Sequence, residues 1–354
     1  MKTDLVNGAL LVATLLLSMW AATLPGGART VVPTNGGAAD APELGATEVV
    51  DARGVPVPVA PYQRIVSLST ISDHALLGLV EPERLVAVTE FTSRHPVAWR
   101  FGARPRVSSS GELESVLALR PDLVIVTLYA DEAYLARLRE NGVQVFDLGD
   151  MRGVETTRAS IRALGALLDV RDRAAALLRS YDRELAALDA VVADRDLTPG
   201  IYLSVYGDTF FGATANTSYA DTLRLGGVLD LAAERGFVDW PQYTAEQLLE
   251  LDPPLIVTLE GMGKVIRNHA LLSTLRACGP EGRIVEIDGA FNGDAGLGII
   301  EAAYQVLTQV HPERVPAPAV DASAAARPTT TPASTESPPT GSPPTGSPPT
   351  GSPP

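Results

Sequence analysis

Glu114-Ser-Val-Leu117-Ala-Leu119-Arg-Pro121-Asp-Leu123-Val124-Ile125 has a counterpart later in the chain, Glu246-Gln-Leu-Leu249-Glu-Leu251-Asp-Pro253-Pro-Leu255-Ile256-Val257. In both, the proline falls seven residues after the glutamate and the two intervening leucines match. Each stretch reads as a short helix that opens near the glutamate and is stopped by the proline. Proline lacks a backbone donor and disfavours helix in the residue before it. The Leu-Val-Ile run that follows has the continuous apolar character of a strand buried on both faces. A helix-stop-strand unit used twice predicts two similar α/β lobes, with one carboxylate at an equivalent place in each.

The flanking sequence extends this pattern. Arg64–Leu68, Leu85–Val88, Leu123–Thr127 and Val143–Asp147 are predicted strands, and Glu132–Glu140 a helix with Tyr134, Leu135 and Leu138 on one face. Glu155 to Arg195 is helical instead. Ile161, Leu164, Leu167 and Leu168 form one stripe; Ala174, Leu177, Leu178, Tyr181, Leu185, Leu188 and Val192 form a longer one, with charges opposite. Its span of about 25 residues gives roughly 37 Å, enough to pass from one lobe to the other. Strand-helix alternation resumes at Ile201–Tyr206 and continues through Leu255–Leu259 and Arg283–Ile287. The expected fold is α/β: two Rossmann-like lobes with parallel sheets, joined by one long α-helix. A single connecting helix limits hinge motion, and a ligand is expected in the cleft at the C-terminal ends of the strands.

The expected division is an export signal or N-terminal anchor over residues 1–28, a linker over 29–60, an N-terminal lobe over 61–168, a bridging helix over 169–196 and a C-terminal lobe over 197–314. Residues 1–28 combine Lys2, an apolar run from Ala9 to Leu24 and small residues at Gly26 to Ala28. With no cysteine nearby, this is not a lipoprotein pattern. Residues 315–354 are rich in Pro, Thr and Ser and end in three Thr-Gly-Ser-Pro-Pro repeats, the composition of an extended, disordered tail. Cys278 is the one cysteine, which excludes an internal disulfide and a cysteine metal cluster. The formal charge of −14 argues against nucleic acid and anionic membrane surfaces as partners.

An ordered set of segments resembles the periplasmic substrate-binding proteins of ABC importers that carry iron siderophores, haem and cobalamin. It comprises Arg64-Ile-Val-Ser-Leu, Pro105-Arg-Val-Ser, Leu113-Glu114, Leu119-Arg-Pro-Asp-Leu-Val, Ile161-Arg-Ala-Leu-Gly165, Asp221-Thr-Leu-Arg-Leu-Gly-Gly227 and Trp240-Pro-Gln-Tyr-Thr-Ala-Glu246-Gln247. The resemblance covers residues 61–314 and specifies no one ligand. It implies that Glu114 and Glu246 dock on arginine pockets of the permease, a pairing that suits the bidentate geometry of arginine and carboxylate. The plainer reading makes both ordinary first-turn glutamates, with Thr244 and Gln247 forming a capping box.

Trp240 matches a cleft tryptophan of the cobalamin-binding branch, with hinge-side packing as the alternative. Loops after strands add Ser72, Phe91, His95, Ser109 and Tyr129 from the first lobe, and Tyr206, Glu260 and Phe291 from the second. Aromatic residues suit the large flat faces of tetrapyrroles and corrins. Phe210-Phe211 reads as a half-buried strand, His74 as a residue that packs or caps the first helix, and His311 as a surface residue. The histidines lack metal-site spacing, and no resident cofactor or catalytic residue is expected. Departures from the family remain: Thr70-Ile-Ser-Asp-His74 replaces the usual Pro-Ser-x-Thr-Glu, and the serine loop before Glu114 lacks the aromatic residue of the haem and cobalamin branches.

The leading expectation is an exported, monomeric, non-catalytic protein. It would capture a metal chelate (cobalamin, ferric siderophore or haem) in the periplasm or at the outer face of the cytoplasmic membrane, and pass it to an ABC permease with its ATPase. A ligand sensor or envelope interaction module tethered by the Pro-rich tail is the alternative. An exported α/β enzyme is third, since no nucleophile elbow or phosphate loop is present.

Overall fold

The computed structural model describes residues 47–108, 113–127, 130–193, 195–291 and 295–315. The export signal or anchor expected over residues 1–28, and all but the first residue of the tail expected over 315–354, lie outside them. In the first lobe, β3 (Ile65–Ser67), β4 (Leu85–Thr89), β5 (Arg106–Val107), β6 (Leu123–Val126) and β7 (Gln144–Asp147) form one sheet in the order β5-β4-β3-β6-β7, all parallel. Strands covered on both faces need apolar side chains on both. Ile65, Leu123 and Ile125 pack on one side against α1 (Thr70–Leu79) and α4 (Val154–Leu167). Val66, Val124 and Val126 pack on the other against α2 (Leu113–Ala118) and α3 (Glu132–Glu140).

The second lobe repeats the plan with one change. Its sheet runs β11 (Gln242–Tyr243), β9 (Thr209–Gly212), β8 (Thr198–Tyr206), β12 (Leu255–Leu259), β13 (Arg283–Ile287), with β10 (Val228–Asp230) beside the start of β8. β8, β12 and β13 are parallel as expected, but β9 is antiparallel to both β8 and β11. The reversal comes from a tight turn at Gly207, whose φ of +59° suits glycine. Phe210 and Phe211 are accordingly buried strand residues. The remaining helices are α5 (Arg171–Val192), α6 (Ser218–Leu225), α7 (Leu231–Glu234), α8 (Ala245–Leu251), α9 (Met262–Asn268) and α10 (Ile299–Val310).

The two Glu-to-Pro segments fold as α2–β6 and α8–β12, and β6 and β12 occupy the same place in their sheets, next to the central strand. After each helix the chain passes through a non-glycine residue in the left-handed region just before the proline, Arg120 at φ 48° and Asp252 at φ 33°. The long helix α5 has 22 residues, about 33 Å. Ala174 near its start joins the first-lobe core. Tyr181, Leu185, Leu188 and Val192 join a cluster with Leu225, Ile299, Ala303 and Leu307.

The expectation of a linker over 29–60 is corrected for its described part. β1 (Glu48–Val50) and β2 (Pro56–Pro58) form an antiparallel hairpin with Val49 opposite Val57, and both valines are buried in the first-lobe core. Arg53 at its tip bonds the buried Asp147 at 2.5 Å and the Ala130 carbonyl at 3.0 Å. His311, expected on the surface, is buried; its Nε2 lies 3.3 Å from both Thr198 Oγ1 and the Gly227 carbonyl oxygen. The absent side chain of Gly227 makes the room: a Cβ there would come 2.7 Å from the imidazole. Among the described residues no helix is long and apolar enough to cross a membrane.

Candidate functional site

Parallel strands deliver their following loops to one sheet edge, so the C-terminal ends of β3, β4, β6 and β7 define one edge of the first lobe. The turn after β4 (Glu90–Arg94) meets the turn after β13 (Gly289–Phe291) of the second lobe. The strand ends of the two lobes thus face each other across the cleft. At this contact the His95 ring lies 4.9 Å from Phe291, edge to face, and 4.0 Å from His74 on α1. His95 and Phe291 therefore form an inter-lobe contact, and His74 packs behind it, as expected.

Below His74 is a buried polar nest. Asp73, at 0% exposure, accepts a hydrogen bond from the Thr89 backbone N–H at 3.1 Å and another from the Thr92 hydroxyl. Burial pushes its carboxyl up to about 7, against the lowering effect of the hydroxyl bonds. Ser72 is corrected as a ligand contact. It is fully buried, its Oγ lies 2.6 Å from Ser67 Oγ, and it donates to the Ser69 carbonyl at 3.0 Å. The side chain turns into the first turn of α1 because buried hydroxyls must find partners.

On the second-lobe side, Tyr202, Ser204 and Tyr206 alternate along β8 and share one face. Tyr202 stacks on Tyr219 of α6 at 3.9 Å, and Tyr219 meets Trp240 edge to face at 5.8 Å. Burial raises both tyrosine hydroxyls, Tyr202 to about 12, so both stay neutral donors. Trp240 is 46% exposed while the tyrosines behind it are buried. That arrangement is an indole presented to solvent on a rigid aromatic base. Tyr206 is half-buried at the end of β8, Phe91 is half-buried after β4, and Glu260 is exposed after β12. Ser109 and Tyr129 lie outside the described residues. Sequence reasoning missed Tyr202 and Tyr219; the two-residue alternation of β8 was the available signal for the first.

A third set of contacts ties the loop before α4 to the second lobe. Arg152 Nη1 lies 2.6 Å from Asp239 Oδ1 and donates to the Asn216 carbonyl at 3.4 Å. The Val154 backbone N–H donates to Asp221 Oδ2 at 2.8 Å. Elsewhere, a shallow depression of about 540 Å³ lined by Lys264, Arg267, Ile284, Glu286 and Gln309 lies along β13 and offers no aromatic platform.

Glu114 and Glu246 occupy corresponding places. α2 follows the parallel strand β5, and α8 follows β11, which the two antiparallel pairings make parallel to β8. Both helices therefore begin at the cleft-side edge of their sheets. Glu246 is exposed within a capping box in which the Gln247 N–H donates to Thr244 Oγ1 at 3.2 Å and the Thr244 N–H to Gln247 Oε1 at 2.8 Å. Its carboxyl is held below the usual range by its own backbone N–H and by the Thr244 hydroxyl. Glu114 is 79% exposed, 3.8 Å from Arg137.

Two lobes of this topology on one connecting helix define a bilobal binding protein. The family profile described as periplasmic binding protein matches residues 65–289, and the chain belongs to that family. A cobalamin-binding protein of Halobacterium salinarum is 26% identical over 55% of this chain and 53% of its own length, so the chain spans about half of that relative. An uncharacterized ABC transporter substrate-binding lipoprotein of Bacillus subtilis, YvrC, is 22% identical over 71% of this chain and 81% of its own. Among solved structures, the periplasmic heme-binding protein RhuT from Roseiflexus sp. RS-1 in apo form superposes with a TM-score of 0.62 at 21% identity, covering 72% of this chain and 99% of that one. A periplasmic heme-binding protein from Pseudomonas aeruginosa gives 0.60 at 26% identity, covering 71% and 93%.

Proposed function

We propose that this chain is an exported, non-catalytic solute-binding protein that captures a metal chelate with a large flat face and delivers it to an ABC permease with its ATPase. The observation that carries the reading is the partly exposed Trp240 on its Tyr219–Tyr202 base, at the cleft of a periplasmic-binding-protein fold. An indole backed by buried rings covers a tetrapyrrole or corrin face at little entropic cost. Trp240, Tyr206, Phe91, His95, Phe291 and Glu260, with Ser109 and Tyr129, are the proposed ligand contacts. Glu114 and Glu246 are the proposed permease contacts, and the protein acts as a monomer.

Tryptophan-fluorescence titration of the full chain with hemin, cyanocobalamin and a ferric hydroxamate siderophore tests the ligand class, with correction for ligand absorbance. Saturable quenching at micromolar or lower concentration, lost in Trp240→Phe, supports the reading; no binding by any of the three sinks it. The Thr-Gly-Ser-Pro-Pro repeats support a second reading, a tethered ligand sensor. Ligand binding without ligand uptake in cells that carry the permease would favour it.

A further inference from the structure

We propose that Arg152 is a positioning residue for Trp240: through Asp239 it couples the approach of the first lobe to the presentation of the indole. The inference rests on Trp240 being a ligand contact for its purpose, though not for its geometry. Trp240 directly follows Asp239, a non-glycine residue at φ 58°. A second such residue, Asn216 at φ 68°, lies three positions before Tyr219, the ring that supports Trp240. Left-handed backbone at non-glycine residues is uncommon and persists where surrounding contacts hold it.

The two segments are laced together. The Asp239 N–H donates to the Ala215 carbonyl at 2.8 Å, the Thr214 N–H to the Asp239 carbonyl at 3.1 Å, and the Gly212 N–H to the Pro241 carbonyl at 2.7 Å. Arg152 touches both left-handed residues from the opposite lobe, the Asp239 carboxylate at 2.6 Å and the Asn216 carbonyl at 3.4 Å. Asp150, 2.6 Å from Arg152 Nε, orients the guanidinium from the other side. Two residues beyond Tyr219, Asp221 binds the Val154 N–H. The inter-lobe attachments therefore bracket the Tyr219–Trp240 pair on both sides.

Energetics decide between positioning and stability. Arg152 and Asp239 are 48% and 46% exposed, and ion pairs of that exposure add little to folding. Their geometric effect is larger, because the indole hangs from the residue whose side chain Arg152 holds. When the lobes separate, that contact and its hold on the Asp239 side chain are lost, while the backbone bonds of Asp239 and Pro241 to Gly212, Thr214 and Ala215 stay within the second lobe.

The test uses the full chain labelled with 5-fluorotryptophan. Its three tryptophans give separate ¹⁹F signals, and Trp240→Phe assigns that of Trp240. In the ligand-free protein, Arg152→Ala shifts and broadens the Trp240 signal, leaves that of Trp99 unchanged and leaves the melting temperature near the parent's. Arg152→Lys gives a smaller shift, since an ammonium keeps the charge but not the fork. For whichever of hemin or cyanocobalamin quenches the parent, Arg152→Ala weakens binding by about three-fold, the scale of an exposed pair. An unmoved Trp240 signal in folded Arg152→Ala overturns the proposal, as does a general shift of all tryptophan signals with a lowered melting temperature. The ligand-free signal is independent of ligand class, so a failed binding reading and a failed positioning role are distinguishable.

Discussion

Asp221 of the second lobe caps a helix of the first. Its Oδ2 accepts the Val154 backbone N–H at 2.8 Å, at the start of α4, where the residue before the helix is Gly153 and has no side chain to offer. Helix starts leave orphan donors that a short polar side chain normally satisfies locally. Here the cap is borrowed across the lobe junction, which removes that orphan donor and fixes the second lobe against α4. Asp221→Ala is expected to destabilise the protein by about 1 kcal/mol, and Asp221→Asn by less, because the amide oxygen still accepts. Thermal unfolding checks both.

Gly153 belongs to the same contact. Its φ is +135°, and a Cβ there would lie 2.3 Å from Asp221 Oδ2. Gly153→Ala is expected to be more damaging than Asp221→Ala, since it adds backbone strain to the lost cap. The double variant Gly153→Ala/Asp221→Ala should recover part of that loss by removing the clash. Melting temperatures of the three variants decide this.

The lobes were legible in the sequence because the Glu-to-Pro unit encodes its own boundaries: a leucine stripe, a proline stop and a buried strand. The left-handed stops at Arg120 and Asp252 were not, since neither residue type announces that backbone. Composition misled at residues 48–58, where proline and glycine surround the two valines that make the hairpin a core element. The aromatic platform was half legible. Trp240 stood out by resemblance, whereas its support from Tyr219 depends on how α6 crosses β8, a tertiary fact with no local signature. Ser72 shows the converse: a polar residue after a strand can satisfy itself inside the fold instead of reaching the cleft.

Asp73 sets an expected pH dependence. Burial raises its folded value to about 7 from an ordinary 3.8, so the folded state holds the proton more tightly than the unfolded chain. The associated stability is full below about pH 4 and declines as pH rises to about 7, by an amount on the order of a few kcal/mol. Asp73→Asn keeps an oxygen for the Thr89 N–H and the Thr92 hydroxyl but cannot ionise. It is expected to flatten this decline. Urea midpoints of parent and variant at pH 4.5 and pH 8 provide the check, and an equal slope in both would remove Asp73 as the cause.

Arg53 on the N-terminal hairpin neutralises Asp147, whose side chain has 0% exposure. Removing one partner of a buried pair leaves an uncompensated charge, which typically costs about 3–5 kcal/mol. Arg53 is itself 20% exposed and Asp147 also accepts from the Gly149 N–H at 2.8 Å. The expected cost of Arg53→Ala is therefore lower, about 2 kcal/mol. Deleting the hairpin should cost more, because Val49 and Val57 leave the core with it. Chemical denaturation of the two variants would rank them, and a hairpin deletion without effect would restore the linker reading.

Glu114 and Glu246 separate docking from folding. Both lie exposed in the first turn of helices that begin at the cleft-side edge of their lobes, and among the described residues neither holds a buried partner. Exposed substitutions of this kind usually change stability by no more than about 0.5 kcal/mol. A glutamate on each lobe can fix both lobes on a two-fold partner only if both contacts form together. The double variant Glu114→Arg/Glu246→Arg is thus expected to melt near the parent and to bind its ligand normally, yet to abolish uptake. Each single variant should retain part of the activity. Reconstituted permease with the loaded binding protein gives the readout as stimulated ATP hydrolysis. Undiminished stimulation by the double variant would return both residues to the role of ordinary first-turn acids.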